Sequence, residues 1–347
     1  MNDAWKTFLV QQGAVFYDGS PPHFGNPQSE RRATVQGNVL ADLSSLSLIR
    51  ASGPEAKAFL NGQLTNELNL IDAGHHRLAA WCSAQGRMLA VFRIFVWEGN
   101  YYLQLPTALR DEAIKRLRMF VLRAKVTIEN ADTDLVRLGL VGPTAATVLR
   151  DAVGAVPEND DACVTHGAFT LLRLPGVQQR FEIVAPVTEA ISLWEKLRPN
   201  ATPVGFGVWS WHDIMAGLPT VHLETKEAFV PQMANLELVG GVNFKKGCYP
   251  GQEIVARMQY LGRLKQRMYR AHVAADASAP GTAIFAPEVP GQSVGTVVDA
   301  QLSPDTGIDL LAVIQTASVQ AGELHLGSAT GPLLEIQRLP YSLTTPE

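Results

Sequence analysis

The stretch 240–253, GGVNFKKGCYPGQE, concentrates the residues of this chain most suited to chemistry. Cys248 is its candidate nucleophile, and Lys245 and Lys246 stand just ahead of it. Glycines on both sides of the cysteine let backbone approach a ligand closely. Pro250 has no N–H to donate and turns Tyr249 away from helical conformation, which gives the turn a defined shape. Ile254, Val255 and Met258 then recur at helical spacing, so Gln252 and Glu253 fall in the first turn of a short helix. Cys248 is therefore expected near a helix N-terminus and beside two cations, and both features favour thiolate over thiol. Such a sulfur is a nucleophile or a polarisable contact to a bound cofactor. The competing reading is an inert, buried, small hydrophobe, as most isolated cysteines are.

The same loop carries a resemblance. Together with Phe229-Val230-Pro231-Gln232-Met233-Ala234-Asn235-Leu236 upstream, the segment Lys246-Gly247-Cys248-Tyr249-Pro250-Gly251-Gln252-Glu253 resembles the YgfZ-type folate-binding family, whose motif runs K-G-C-Y-x-G-Q-E. The likeness extends to Phe59-Leu60-Asn61-Gly62-Gln63-Leu64-Thr65, to Leu78-Ala79-Ala80-Trp81-Cys82 and to the closing Leu339-Pro340-Tyr341-Ser342-Leu343, so it covers most of the chain from about Leu40 onward. That family is similar in fold to the glycine-cleavage T-protein, a tetrahydrofolate-dependent aminomethyltransferase. The resemblance implies an α+β chain: a T-protein-like body of two ferredoxin-like units plus a C-terminal antiparallel β-barrel, packed around a central opening. It implies tetrahydrofolate, or a one-carbon derivative, as cofactor. Cys248 and Lys246 are then the residues closest to chemistry. Trp209 either stacks on the pterin or packs in the core, Gln232 and Asn235 either meet the pterin's polar edge or cap the loop backbone, and Tyr249, Gly251 and Glu253 complete the binding loop with Lys246 and Cys248.

The family resemblance further implies a role in maintaining or repairing certain iron–sulfur enzymes, including those that methylthiolate tRNA, with those enzymes or cluster carriers as partners. Two other functions need the same loop: a folate-dependent one-carbon transferase, and a non-catalytic scaffold for cluster assembly. One departure bears on the choice. The T-protein has an acidic residue shortly after the glycine turn of its second strand, whereas the run here, Gln85-Gly86-Arg87-Met88-Leu89-Ala90-Val91, has no carboxylate. That argues against aminomethyl transfer by the T-protein mechanism. A second pocket tryptophan of some relatives falls near Leu46, which cannot stack.

Composition sets outer bounds. A chain of 347 residues implies two or three domains. Its 46% apolar and 18% charged content suits a globular protein, and a net charge of −4 argues against a general nucleic-acid-binding surface. Cys82, Cys163 and Cys248 are too dispersed for a disulfide framework or a zinc or iron–sulfur ligand set, and no histidine pairs with a carboxylate at metal spacing. No signal peptide and no membrane-length apolar run is read, so a cytoplasmic protein is expected. Arg116, Arg118, Arg123 and Lys125, and then Arg257, Arg263, Lys265, Arg267 and Arg270, form two basic stretches. Each reads as a solvated face, or as a rim for folate polyglutamate, RNA or an acidic protein.

Four regions must position these residues. Segment 1–35 reads as an N-terminal arm that begins with a short amphipathic piece, Trp5 to Gln11, and passes into turn residues around Asp18-Gly19-Ser20-Pro21-Pro22. Region 36–130 plus 205–260 reads as the first ferredoxin-like unit with the folate loop: a strand over 39–49, a helix after Pro54, strands at 76–82, 88–97 and 101–105, a helix over 107–120 and a strand over 121–129. Region 131–204 repeats that order, and 209–217 is helical. In 261–347 short apolar runs alternate with Gly, Pro, Asp and Ser about every ten residues, the pattern of a small antiparallel barrel or sandwich.

Overall fold

Every residue of the strand Leu135–Gly142 is buried, as a strand covered on both faces requires. A computed structural model describes residues 1–17, 20–260, 262 and 264–343. The chain forms two compact units: Met1–Phe59 with Asn69–Arg77 and Arg93–Ser210, and Leu60–Leu68 with Leu78–Phe92 and Trp211–Glu347.

Leu135–Gly142 lies inside a six-stranded sheet of the first unit, in the order Cys163–His166, Phe169–Arg173, Gln179–Pro186, Leu135–Gly142, Val39–Asp42, Thr202–Val204. The helices Asp3–Gln11, Ala145–Val153 and Val187–Leu197 cover one face, where Trp5, Leu9, Leu138, Phe181 and Trp194 form a core. A second cluster includes Val39, Val184, Phe95, Tyr102 and Trp209. Residues 93–97 of the strand Met88–Trp97 pair with Asn100–Pro106, which pairs with Leu46–Ser52 and that with Thr127–Asn130. The helix Thr107–Val121 buries Leu109, Ala113, Ile114 and Leu117.

Three expectations change here. The strand expected over 39–49 is two strands in different sheets, because Asp42 turns the chain: its carboxylate accepts from Ser44 Oγ at 2.8 Å and Trp5 Nε1 at 2.7 Å. The first of those strands lies between Leu135–Gly142 and Thr202–Val204. That insertion breaks the four-stranded order expected for a ferredoxin-like unit over 131–204. Finally, segment 1–35 is not simply an extended arm. It contains the helices Asp3–Gln11, capped by Asn2, and Pro27–Gln36, capped by Asn26, and the first buries Trp5 and Leu9 completely. Asp18 and Gly19, in its turn-rich part, lie outside the described residues.

In the second unit an antiparallel sheet runs His325–Leu326, Ala283–Phe285, Ser293–Leu302, Ile308–Gln315, Gln266–Val273, Leu334–Gln337. Its end strands approach at the bridge His325↔Leu333, so the sheet curls into a half-barrel around Ala271, Ile284, Val297, Leu310 and Ile314. The C-terminal antiparallel barrel expected from turn spacing is found in this form. The short helix expected after the cysteine loop spans Gln252–Tyr260. Among the described residues no helix is long and apolar enough to cross a membrane.

Candidate functional site

The cysteine loop is fixed at both ends by residues far away in sequence. At its start, Thr65 Oγ1 donates to the Gly241 carbonyl at 2.7 Å, and Asn66 Nδ2 donates to the Gly240 and Leu78 carbonyls, each at 2.7 Å. At its end Gly251 has φ +79°, and an added Cβ would lie 2.4 Å from the Ser83 carbonyl oxygen and 2.6 Å from Gly86 Cα. These are backbone atoms that cannot give way, so only glycine seats the loop on the 83–86 turn. Val255 N donates to the Gly251 carbonyl at 3.2 Å as the helix begins.

Between these anchors the two lysines part. Lys245 is exposed, while Lys246 is 8% exposed and turns inward. Its Nζ donates to the carbonyls of Asn61 at 2.5 Å and Leu64 at 2.8 Å and lies 4.8 Å from the centre of the Tyr249 ring. Burial pushes the Lys246 ammonium down to about 8, against the opposing pull of Glu67 and Cys248. Tyr249 is buried, and burial pushes its phenol up. Cys248 is exposed, unlike Cys82 and Cys163, whose thiols burial pushes up to about 12. The inert-hydrophobe reading thus describes the other two cysteines. Cys248 instead presents sulfur to solvent from a braced loop, electrostatically coupled to a buried cation. That arrangement suits attack on an electrophilic carbon or sulfur.

The remaining expected residues divide. Gly251 and the exposed Glu253 belong to the loop and its helix. Gln232 and Asn235, both fully buried, spend their amide nitrogens on backbone: Gln232 Nε2 donates to the Val255 carbonyl at 2.6 Å and Asn235 Nδ2 to the Met268 carbonyl at 2.7 Å. Gln232 Oε1, however, is buried without a hydrogen-bond partner among the described residues, and so is Glu237 Oε2. Trp209 lies in the first unit, 2% exposed, with the Arg180 guanidinium 4.2 Å from its ring centre, where the sequence reading put a pterin. A Cβ on Gly139 would come 2.4 Å from its Cε3. The other expected site residues lie in the second unit.

Sequence reasoning missed the braces. Thr65 and Asn66 were legible only as part of a family fragment or its edge, and the acceptors for Lys246 are carbonyls, which no side-chain motif announces. Arg267, read as part of a basic stretch, is buried: it donates to the Gln232 carbonyl at 2.9 Å and pairs with Glu237. Arg263 of that stretch lies outside the described residues. Among the described residues no group of three or more His, Cys, Asp or Glu side chains is placed to hold a metal ion.

Comparison with known proteins supplies the context. The family described as the GCVT N-terminal domain matches residues 5–246. The "tRNA-modifying protein YgfZ" of Klebsiella pneumoniae (strain 342) is 31% identical over 334 residues, 93% of this chain and 97% of that protein. The protein of the same name from Colwellia psychrerythraea is 31% identical over 314 residues, covering 90% and 95%. The crystal structure of glycine cleavage system aminomethyltransferase T from Bartonella henselae superposes with a TM-score of 0.80 over 97% of this chain and 96% of that one. At 20% identity that likeness is one of fold.

Proposed function

Because the chain belongs to the YgfZ family and carries a GCVT N-terminal domain, we propose that it binds tetrahydrofolate or a one-carbon derivative and uses Cys248 in maintaining or repairing iron–sulfur enzymes, including ones that modify tRNA. The observation that carries this reading is the exposed Cys248 on a loop anchored by Thr65, Asn66, Lys246 and Gly251. Such bracing is superfluous for a surface thiol without a task.

The residues present fit a reduced pterin in one testable respect. A buried acceptor without a donor costs about 1–3 kcal/mol, and Gln232 Oε1 and Glu237 Oε2 are two such acceptors. The N–H groups on the pterin edge are suitable complements, so Gln232 and Glu237 are the side chains assigned to hold it. When bound, the folate supplies a one-carbon unit or the electrons of its reduced ring. The chain's own part is to hold the Cys248 sulfur at fixed geometry and to keep the Lys246 charge in the same loop. Partners under this reading are iron–sulfur enzymes or cluster carriers, and the working compartment is the cytoplasm. The carboxylate missing from 85–91 weighs against T-protein-type aminomethyl transfer.

Calorimetric titration of the purified chain with tetrahydrofolate tests the cofactor, and Cys248→Ala tests the thiol. Saturable heat displaced by folate analogues is expected. The variant should bind folate with unchanged affinity and unfold within about 0.5 kcal/mol of the parent, as an exposed side chain allows, yet fail to restore tRNA methylthiolation in cells lacking the protein. Absence of heat and of competition would remove the folate assignment, and full restoration by the variant would remove the thiol.

A further inference from the structure

Residues 113–128, AIKRLRMFVLRAKVTI, hold five cations (Lys115, Arg116, Arg118, Arg123 and Lys125) and no carboxylate, in a chain whose net charge is −4. The helix Thr107–Val121 turns Leu109, Ala113, Ile114 and Leu117 into the core of the first unit. Beyond Leu117 the large apolar residues face outward: Met119 is 65% exposed, Phe120 47% and Leu122 88%. Leu122 follows directly on the helix with φ +47°.

The backbone beneath this tip is held firmly. Lys125 N donates to Glu55 Oε2 at 2.7 Å, and its carbonyl accepts from Glu55 N at 3.5 Å. A Cβ on Gly53 would come 2.3 Å from that carbonyl oxygen. Arg118 Nε donates to the Ile128 carbonyl at 2.8 Å, and Arg116 lies 3.5 Å from Glu112. Lys115, Arg123 and Lys125 are exposed around the apolar tip.

The geometry points to a docking surface for an anionic lipid bilayer. Met119, Phe120 and Leu122 enter the boundary between headgroups and acyl chains, and the cations lie over lipid phosphates. Charge complementarity favours an anionic partner, since five cations stand here against Glu112, which pairs with Arg116, and Glu55, which accepts from the Lys125 backbone. The apolar side chains select which one. Two of the three are aliphatic and cannot stack on nucleobases, as a single-stranded RNA surface requires. Leu122, at 88% exposed, protrudes into solvent. A small apolar tip and a basic cluster each give only marginal membrane binding alone, and stable anchoring takes two signals together. The inference is independent of folate, and its test leaves the folate titration untouched.

The test is co-sedimentation of the full-length chain with vesicles of phosphatidylcholine alone and of phosphatidylcholine with 40% phosphatidylglycerol. Partitioning onto the anionic vesicles should be at least about 10-fold stronger, and should fall steeply between 0.1 and 0.5 M salt, on the order of the screening expected for surface charges. Each cation near the surface is worth about 5-fold, so Arg123→Glu/Lys125→Glu should weaken partitioning by about 25-fold or more. Met119→Ser/Leu122→Ser should weaken it about 10-fold with the charge unchanged. Circular dichroism melts matching the parent establish that both variants are folded. Equal partitioning onto neutral vesicles, or variants that bind like the parent, overturns the proposal. So does binding of bulk tRNA that requires Arg123 and Lys125 but not Met119 and Leu122, in a chain that ignores vesicles.

Discussion

Lys246→Met removes the brace beneath Cys248 while keeping the length and packing of the stem. The carbonyls of Asn61 and Leu64, 2.5 and 2.8 Å from Nζ, then lose their donor. A hydrogen bond from a charged donor contributes about 1.5–3 kcal/mol, much of it the cost of leaving the partner unsatisfied, so two set a gross loss of about 3–6 kcal/mol. The burial of the ammonium opposes this. Burial lowers Lys246 from 10.5 to about 8, and at about 1.36 kcal/mol per pKa unit the charge costs at most about 3 kcal/mol at neutral pH. Screening by nearby water brings that to about 2 kcal/mol. The expected net destabilisation at pH 7 is therefore about 1–4 kcal/mol.

The sign of the pH dependence separates this account from a simple packing defect. A lysine with a lower value folded than unfolded holds fewer protons in the folded chain between the two values, so its contribution to stability rises with pH there. The window runs from about 8 to 10.5. Between pH 7 and pH 10 the advantage of the parent over Lys246→Met should grow, by about 1 kcal/mol after the same screening. The neutral amine keeps two N–H donors for two carbonyls, and the cost of burying its charge disappears. Cys82 in the second unit is 2% exposed and Cys163 in the first is 4% exposed. Pulsed thiol labelling across a urea series, in a Cys248→Ala background and read by mass spectrometry, therefore follows each unit separately. The Cys82 midpoint should fall, by more than that of Cys163 and by more at pH 10 than at pH 7. An unmoved Cys82 midpoint, or a gap that closes as pH rises, refutes the reasoning.

Gly251→Ala should cost at least about 2 kcal/mol by the same Cys82 measurement, because the methyl meets the Ser83 and Gly86 backbone at φ +79°; a loss below about 0.5 kcal/mol would show that the turn can shift. His222, 3.4 Å from Asp299, gives an opposite pH signature. Burial alone would lower it, but the nearby Asp299 carboxylate outweighs burial and raises it above 6.5. That stabilisation is complete below the unfolded value and is lost as pH rises through the folded one. The stability difference between the parent and Asp299→Asn should narrow from pH 5.5 to pH 8, and a difference that widens would contradict the assignment.

What the sequence made legible is local. The helix Gln252–Tyr260 followed from Ile254, Val255 and Met258, and the strands of the half-barrel from apolar runs punctuated by turn residues, because each pattern is written within a few residues of where it acts. The exposure of Cys248 was legible only as one of two alternatives, since a buried, inert sulfur fits the same residues. The direction of Lys246 was not. Its partners are main-chain carbonyls about 180 residues upstream, and a carbonyl carries no residue identity. Val39–Asp42 was misplaced on similar grounds: its pairing with Leu135–Gly142 depends on Asp42 meeting Ser44 and Trp5, and Trp5 belongs to a segment read as an arm.

The parting of the two lysines changes what the loop motif means physically. Read along the chain, Lys245-Lys246-Gly247-Cys248 is a thiol beside two activating cations. In the folded unit Lys246 is instead a strut, and its ammonium carries mechanical connection and charge together, tying the loop to the 61–64 segment while staying coupled to the sulfur. Arginine would keep the charge but would place a planar fork, with a different reach, against two carbonyls that lie close around one nitrogen. Lysine at this position therefore answers to the spacing of the Asn61 and Leu64 carbonyls as much as to the sulfur. Lys246→Arg should accordingly disturb the protection of Cys82 while preserving the local charge, and that result would separate the strut from the charge in a way that Lys246→Met cannot.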